Sequence, residues 1–234
     1  RNQFAWFLIQ RGILIEPSFG KDKLEEAVQI CRETIVLTPK EKHYEDWAEA
    51  QNTLGVALHD QSVRIGSEKS HFLLREAIRA YSHALEVYTQ TDMPQRWAAT
   101  QNNLGNALFE LYVQEDSEEA CRLLGEAVTA YCHALEVYTR ADLPQNWATT
   151  QNNLGIVLRE QGVRIGGEEG CRLLSDAVHA FSLALKHRTK VDEPQQWAST
   201  QDNFGTALFD LGMRQKSIEI LNKAKAATQA SYDF

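Results

Sequence analysis

The sequence lacks most of what marks an enzyme, a nucleic-acid binder or a membrane protein. No apolar run approaches the roughly 18 residues a membrane-spanning helix needs, and no secretory leader is recognisable at the start. Basic charge is scarce, with 24 Lys and Arg against 32 Asp and Glu and a formal net charge of −8. Nucleic-acid phosphates are held by clustered Lys and Arg, so a general nucleic-acid binder is excluded. Four cysteines occur (Cys31, Cys121, Cys132 and Cys171), and no two form a C-x-x-C pair. Buried or half-buried thiols in a reducing, cytoplasmic compartment are the expectation.

Chemistry-bearing motifs are missing too. There is no nucleophile elbow, no H-E-x-x-H and no paired catalytic carboxylates. His83 and His133 recur without Cys or Asp at metal-ligand spacing. Gly66-Ser67-Glu68-Lys69-Ser70 faintly resembles the end of a phosphate loop, but no strand precedes it. Its counterpart Gly166-Gly167-Glu168-Glu169-Gly170 is acidic and would repel phosphate, so both read as helix connections. No enzymatic activity, cofactor or metal is expected.

What the chain does have is repetition. Trp47, Trp97, Trp147 and Trp197 stand fifty residues apart, as do Gln51, Gln101, Gln151 and Gln201, and Gly55, Gly105, Gly155 and Gly205. Residues 81–105 and 131–155 match at 19 of 25 positions. A fixed period of this size is the mark of stacked supersecondary units rather than of one closed core. Apolar residues within a unit recur in steps of three and four, as in Leu123, Leu124, Ala127, Val128, Tyr131 and Ala134. Helix breakers fall between the runs: Asp92 and Pro94, Asp142 and Pro144, Asp192 and Pro194. Each unit therefore reads as a helix opening at the proline, a short loop, and a second helix.

The expected first helices cover 2–13, 44–63, 94–113, 144–162 and 194–212, and the second helices cover 22–37, 69–90, 117–140, 168–190 and 215–230. Asn2 and Phe4 stand where Asn52 and Leu54 do, so the first pair fits the same frame, with Ala5 in the place of the repeat glycine. No linker or second domain is visible, which predicts one domain over 1–234. The chain begins at Arg1 rather than Met, and a longer parent chain is expected. Glycine costs a helix interior about 1 kcal/mol relative to alanine, so four at one position need a local reason. Close approach of the paired helix, with Ala127-type residues facing the glycine, is the reason expected.

These residues carry a resemblance to the tetratricopeptide repeat, which places Leu-Gly on its first helix, Ala-x3-Phe/Tyr-x2-Ala on its second, then Pro. Leu104-Gly105 is followed by Ala127, Tyr131, Ala134 and Pro144. The sets led by Leu54-Gly55 and Leu154-Gly155 are equivalent. The period departs from the usual 34, and Gln101 occupies the usual tryptophan place. Gly205 to Ser217, at 12 residues, returns to ordinary spacing. The resemblance implies an all-α, right-handed TPR-like solenoid of five antiparallel helix pairs, about ten helices in all.

Stepping about 100° per residue from Trp97 sorts the recurring phrase into faces. Leu104, Leu108 and Gln101 fall within roughly 40° of the tryptophan and form the expected buried stripe. Asn102, Asn103 and Asn106 point away from it. Asn52, Asn152 and Asp202 repeat Asn102, and Asn153 and Asn203 repeat Asn103. An amide offers both donors and acceptor, so a row of them can hold a peptide main chain without reading its side chains. The Asn-Asn-Leu phrase is similar to the asparagine ladder of kinesin light chains and Pins-type TPR adaptors. That similarity implies Asn52, Asn102, Asn103, Asn152, Asn153 and Asn203 as peptide contacts, with Asn106 and Asp202 on the same face. The alternative use of such amides is to cap or cross-link neighbouring helices.

Other outward columns vary, as pockets for a specific ligand would. One reads His59, Phe109, Arg159, Phe209, which adds Phe109 and Arg159 to the candidates. The next, Asp60, Glu110, Glu160 and Asp210, is uniformly acidic and would favour a basic partner segment. The leading expectation is a non-enzymatic scaffold or adaptor that binds an extended protein segment in a groove, without nucleic acid or membrane. The alternative is a regulatory, sensor or oligomerisation arm of a larger protein, such as a bacterial effector or signalling NTPase, with self-association among its roles.

Overall fold

The computed structural model of the chain describes residues 3, 5, 17–65, 67–115 and 119–232. Among these residues there are nine helices and no strand: α1 (Pro17–Leu37), α2 (Tyr44–Arg64), α3 (Ser67–Leu85), α4 (Pro94–Val113), α5 (Glu119–Val137), α6 (Pro144–Ile165), α7 (Gly167–Leu185), α8 (Pro194–Gln215) and α9 (Ile218–Tyr232). The expected helix over 2–13, with Asn2 and Phe4, lies outside the described residues apart from positions 3 and 5, which are helical; Ala5 is buried. Two compact units emerge, Arg1–Leu123 and Leu124–Phe234, and the division falls within α5.

Helix starts follow the prolines. Pro94, Pro144 and Pro194 each occupy the first helical position, where a missing N–H costs nothing. The second helices α3 and α7 end at Leu85 and Leu185, five residues before the expected stops at 90 and 190. The cause is a local competitor to the helix. Thr89 Oγ1 donates to Asp92 Oδ2 at 2.6 Å and accepts from the Asp92 N–H at 3.0 Å. Thr139 with Asp142 and Thr189 with Asp192 repeat that turn. In the other loop, Gly166 (φ 73°) and Gly167 (φ 59°) take left-handed backbone between α6 and α7, a conformation L side chains disfavour.

In unit 1, α2 packs against α1 and α3, and α3 against α4, with α2 also touching α4. Its core is built from fully buried small and branched residues, among them Leu24, Ala27, Ala48, Leu74, Ala77 and Tyr81. Trp47, Met93 and Trp97 pack around buried Ala48, Ala84 and Tyr88 but are themselves only half-buried. The seat of burial on each first helix is therefore not the tryptophan. It lies on the stripe residues Gln101, Leu108 and Leu111 together with the flanks at Ala98, Thr100, Gly105 and Ala107. In unit 2, α7 packs against α6 and α8, α8 against α9, and α6 touches α8.

The repeat glycines do mark close approach, but the partner is an aromatic ring, not the expected alanine. A Cβ on Gly55 would stand 2.6 Å from Tyr81 Cε1, and one on Gly155 would stand 2.8 Å from Phe181 Cε1. In the shorter last repeat the ring is replaced by Thr228, whose Oγ1 would lie 2.4 Å from a Cβ on Gly205. Cys31 is buried as expected, whereas Cys121 and Cys132 are exposed and Cys171 is half-buried; all four are free thiols.

Candidate functional site

Among the described residues, each unit contains one seam between successive first helices whose contacts are all within that unit. The recurring Thr and Asn positions meet there. In the α2–α4 seam, Thr100 Oγ1 lies 3.0 Å from Asn52 Oδ1 and 2.8 Å from the carbonyl of Arg96, and its one proton serves one acceptor at a time. In the α6–α8 seam, Asn203 Nδ2 donates to Asn152 Oδ1 at 3.3 Å, and Asn152 Nδ2 to Asn153 Oδ1 at 3.4 Å. The structure thus brings Asn152, Asn153 and Asn203 into one cluster, and it ties Asn52 to the next first helix. The cross-linking use of the amides is realised at both seams. It does not exhaust them, because each amide offers two donors and two lone pairs.

Exposure grades the rest. Asn52, Asn102, Asn103, Asn106, Asn153 and Asn203 are half-buried, Asn152 is buried and Asp202 is exposed. Phe109 stacks on Tyr112 with ring centroids 5.7 Å apart. Arg159 Nε donates to Asp210 Oδ2 at 2.6 Å, and its NH1 to Glu160 Oε1 at 2.7 Å. Within unit 2 the acidic pair Glu160 and Asp210 thus shares one guanidinium. His59 stands where Arg159 does, two repeats earlier, and its Nε2 lies 3.9 Å from Glu110 Oε1. Burial holds the imidazole below its ordinary pKa, opposed by Glu110 and Asp60. Burial pushes the Asp60 carboxyl and the Tyr81 phenol up. His59 Nε2, Asp60 Oδ2 and Tyr81 Oη are buried without a hydrogen-bond partner.

Two open furrows lie on another side of the first helices. In unit 2 a furrow of about 610 Å³ lies between α5 and α7 and is floored by Gln151, Leu154 and Leu158 of α6. Unit 1 has its counterpart, about 360 Å³, floored by Gln51, Leu54 and Leu58. These are the stripe residues near the tryptophan; they are buried as expected and also form the furrow floors. By the helical step they lie more than roughly 100° from Asn152 and Ile156, so furrow and asparagine face are distinct surfaces. Two further residues were missed. Arg188 is buried in the α6–α8 seam, and Gly125 opens the unit 2 furrow, with no atom within 4 Å of where its Cβ would be. The signal for Arg188 was a break in a column, since Tyr88 and Tyr138 precede it. No group of His, Cys, Asp and Glu among the described residues could hold a metal, and no helix there is long and apolar enough to cross a membrane.

No protein-family model matches the sequence, and no curated protein matches it significantly. Among solved structures, BtubC (BKLC) from P. vanneervenii, a kinesin light chain-like protein, superposes with a TM-score of 0.61 at 20% identity. The match covers 100% of this chain and 89% of that one. Helix pairs of this order, with glycine under an aromatic ring, decide the fold. It is an all-α, TPR-like helical repeat.

Proposed function

We propose that the chain is a non-enzymatic interaction scaffold that holds an extended protein segment along the asparagine face of its first helices. The observation that carries this reading is the Asn152–Asn153–Asn203 cluster. Three amides from two neighbouring helices converge on a seam whose rim, at Asp202 and Thr149, is exposed. Amides pre-oriented by one another can add bonds to a main chain without first losing side-chain freedom. An extended strand rises about 3.3 Å per residue and packed helices lie about 8–10 Å apart. Contacts one repeat apart therefore suit every third residue of a ligand. Arg159, on α6 with the cluster, would flank such a strand and read its side chains. A cytoplasmic setting fits the four free cysteines.

The test uses the 234-residue chain and a random 12-residue peptide display library. Wild type should enrich a family of extended peptides, and the Asn102→Ala, Asn152→Ala, Asn203→Ala triple variant should lose them while keeping a cooperative melt. Gly125→Leu, which fills the α5–α7 furrow, should bind as wild type does. Peptides that survive the triple variant but are lost in Gly125→Leu would move the site to the furrow.

A further inference from the structure

The two units place a cation differently in their first-helix seams. In unit 1 the seam holds Arg96, at the solvent edge, with NH1 3.9 Å from Glu49 Oε2. Its guanidinium lies over the ring of buried Tyr88, 5.7 Å from the centroid. The three equivalent positions in unit 2 are Gln196, Thr149 and Arg188. The cation has moved from the edge of the seam to its interior, and the carboxylate that faced it has become a threonine.

Arg188 is only 7% exposed. Its NH1 donates to Thr200 Oγ1 at 2.8 Å and its NH2 to Thr149 Oγ1 at 3.0 Å. Thr200 is fixed as an acceptor there, because its own hydroxyl donates to the Gln196 carbonyl at 2.7 Å. The Arg188 Nε has no hydrogen-bond partner. The nearby carboxylate is Glu193, whose Oε2 is 4.0 Å from Nε, a charge contact without a hydrogen bond. Glu193 is also shared, with its Oε1 3.6 Å from His187 Nε2. A buried guanidinium held by two neutral hydroxyls and half of one distant carboxylate is under-compensated, and burying charge is costly until an anion meets it.

The place of this cation is informative. Thr149 is exposed and lies one helical turn before Asn152 and Asn153 on α6, and Thr200 lies one turn before Asn203 on α8. The guanidinium thus stands about one turn, roughly 5.4 Å along the helix axis, from the asparagine cluster. We propose that Arg188 is a receptor for an acidic side chain, Asp or Glu, of the bound segment, which supplies in trans the carboxylate that Glu49 supplies within unit 1. The incoming carboxylate takes the NH2 donor from the Thr149 hydroxyl and meets the planar fork that suits it. A dianionic phosphate is disfavoured, since Glu193 already places negative charge beside the same group.

This rests on the peptide-binding reading of the asparagine face, and the test separates the two. Peptides enriched by wild type from the 12-residue library should share one acidic column. Arg188→Tyr restores the residue found at 88 and 138, so it suits the repeat, and peptides it enriches should lose that column alone. For one selected peptide, Glu→Gln at the column should weaken binding to wild type about tenfold or more and to Arg188→Tyr hardly at all. Arg188→Lys, which keeps charge without the fork, should show a smaller Glu/Gln ratio than wild type, and it carries the test if the tyrosine variant does not fold. Enriched peptides without an acidic column, or a Glu/Gln ratio unchanged in either variant, overturn the receptor and leave the asparagine reading standing. Failure of wild type to enrich any peptide overturns both.

Discussion

Phe181 occupies the space where a side chain at Gly155 would be, since a Cβ there would lie 2.8 Å from its ring Cε1. The ring is fully buried and cannot swing aside. Two effects oppose each other in Gly155→Ala. Helix propensity favours alanine by about 1 kcal/mol, while overpacking a closed core costs about 1–3 kcal/mol. Overpacking should win, with a net loss of up to about 2 kcal/mol read from urea unfolding. Phe181→Leu, which trims the ring, should recover part of that loss in the double variant. A Gly155→Ala protein more stable than wild type would show that the glycine serves something other than this contact.

Unit 1 should be acid-sensitive through His59. Its folded pKa is lowered from 6.5, chiefly by burial, with Glu110 and Asp60 pulling the other way. The folded state therefore binds fewer protons than the unfolded state just below pH 6.5, and stability falls as pH drops through that value towards the lowered one. Asp60 acts in the opposite sense, because its folded pKa is raised above 3.8, so its contribution declines as pH rises from there. His59→Phe, the residue at 109 and 209, removes the first effect only. The stability difference between wild type and this variant, measured from pH 7.5 to 5.5, should move against wild type. A constant difference would mean that His59 is solvated in the folded state.

How much of this was readable beforehand depends on how locally each feature is specified. The starts of α4, α6 and α8 were readable because Pro94, Pro144 and Pro194 end one element and open the next within a few residues. The ends of α3 and α7 were not, because the helical spacing runs on past Leu85 and Leu185, to Tyr88 in the first case, while the Thr–Asp turn behind them competes for the backbone. The glycine column announced a close contact, yet two candidate partners, Ala177 and Phe181, stand one helical turn apart, and only packing chooses between them. On the candidate site, angular sorting placed the asparagines outward but could not say that Asn152 and Asn203 would meet, since that depends on helix separation. Arg188 sits where every other described repeat has an aromatic or a small residue. A single sequence presents that as drift until the loss of Glu49 and Arg96 at the matching positions is set beside it.

Asn52 and Thr100 give the α2–α4 seam a bond that can be weighed. The contact is 3.0 Å and partly buried, so its net worth should be about 1 kcal/mol. Thr100→Val keeps the shape of the fully buried side chain and removes the hydroxyl, and Asn52→Ala removes the acceptor. Each alone should destabilise, and the pair together by less than the sum, with a coupling of about 0.5–1 kcal/mol in a double-mutant cycle. Strict additivity would show that Thr100 spends its proton on the Arg96 carbonyl instead, leaving Asn52 available to a ligand.

The cysteines offer a label-free view of the opening of unit 1. Cys31 is fully buried on α1, and burial pushes its thiol up to about 12. The thiolate is the reactive form, so at pH 8 Cys31 is protected twice, by lack of access and by lack of ionisation. Cys121 is exposed on α5 and should react with a disulfide reagent at close to the rate of a free thiol. Cys31 should react only through opening of α1 from α2, slower by the opening equilibrium, and urea below the unfolding midpoint should speed it much more than it speeds Cys121. Mass spectrometry of partially labelled protein assigns the two sites. If Cys31 labelled as fast as Cys121 in the absence of urea, α1 would not be held against α2 as the buried Leu24, Ala27 and Cys31 require.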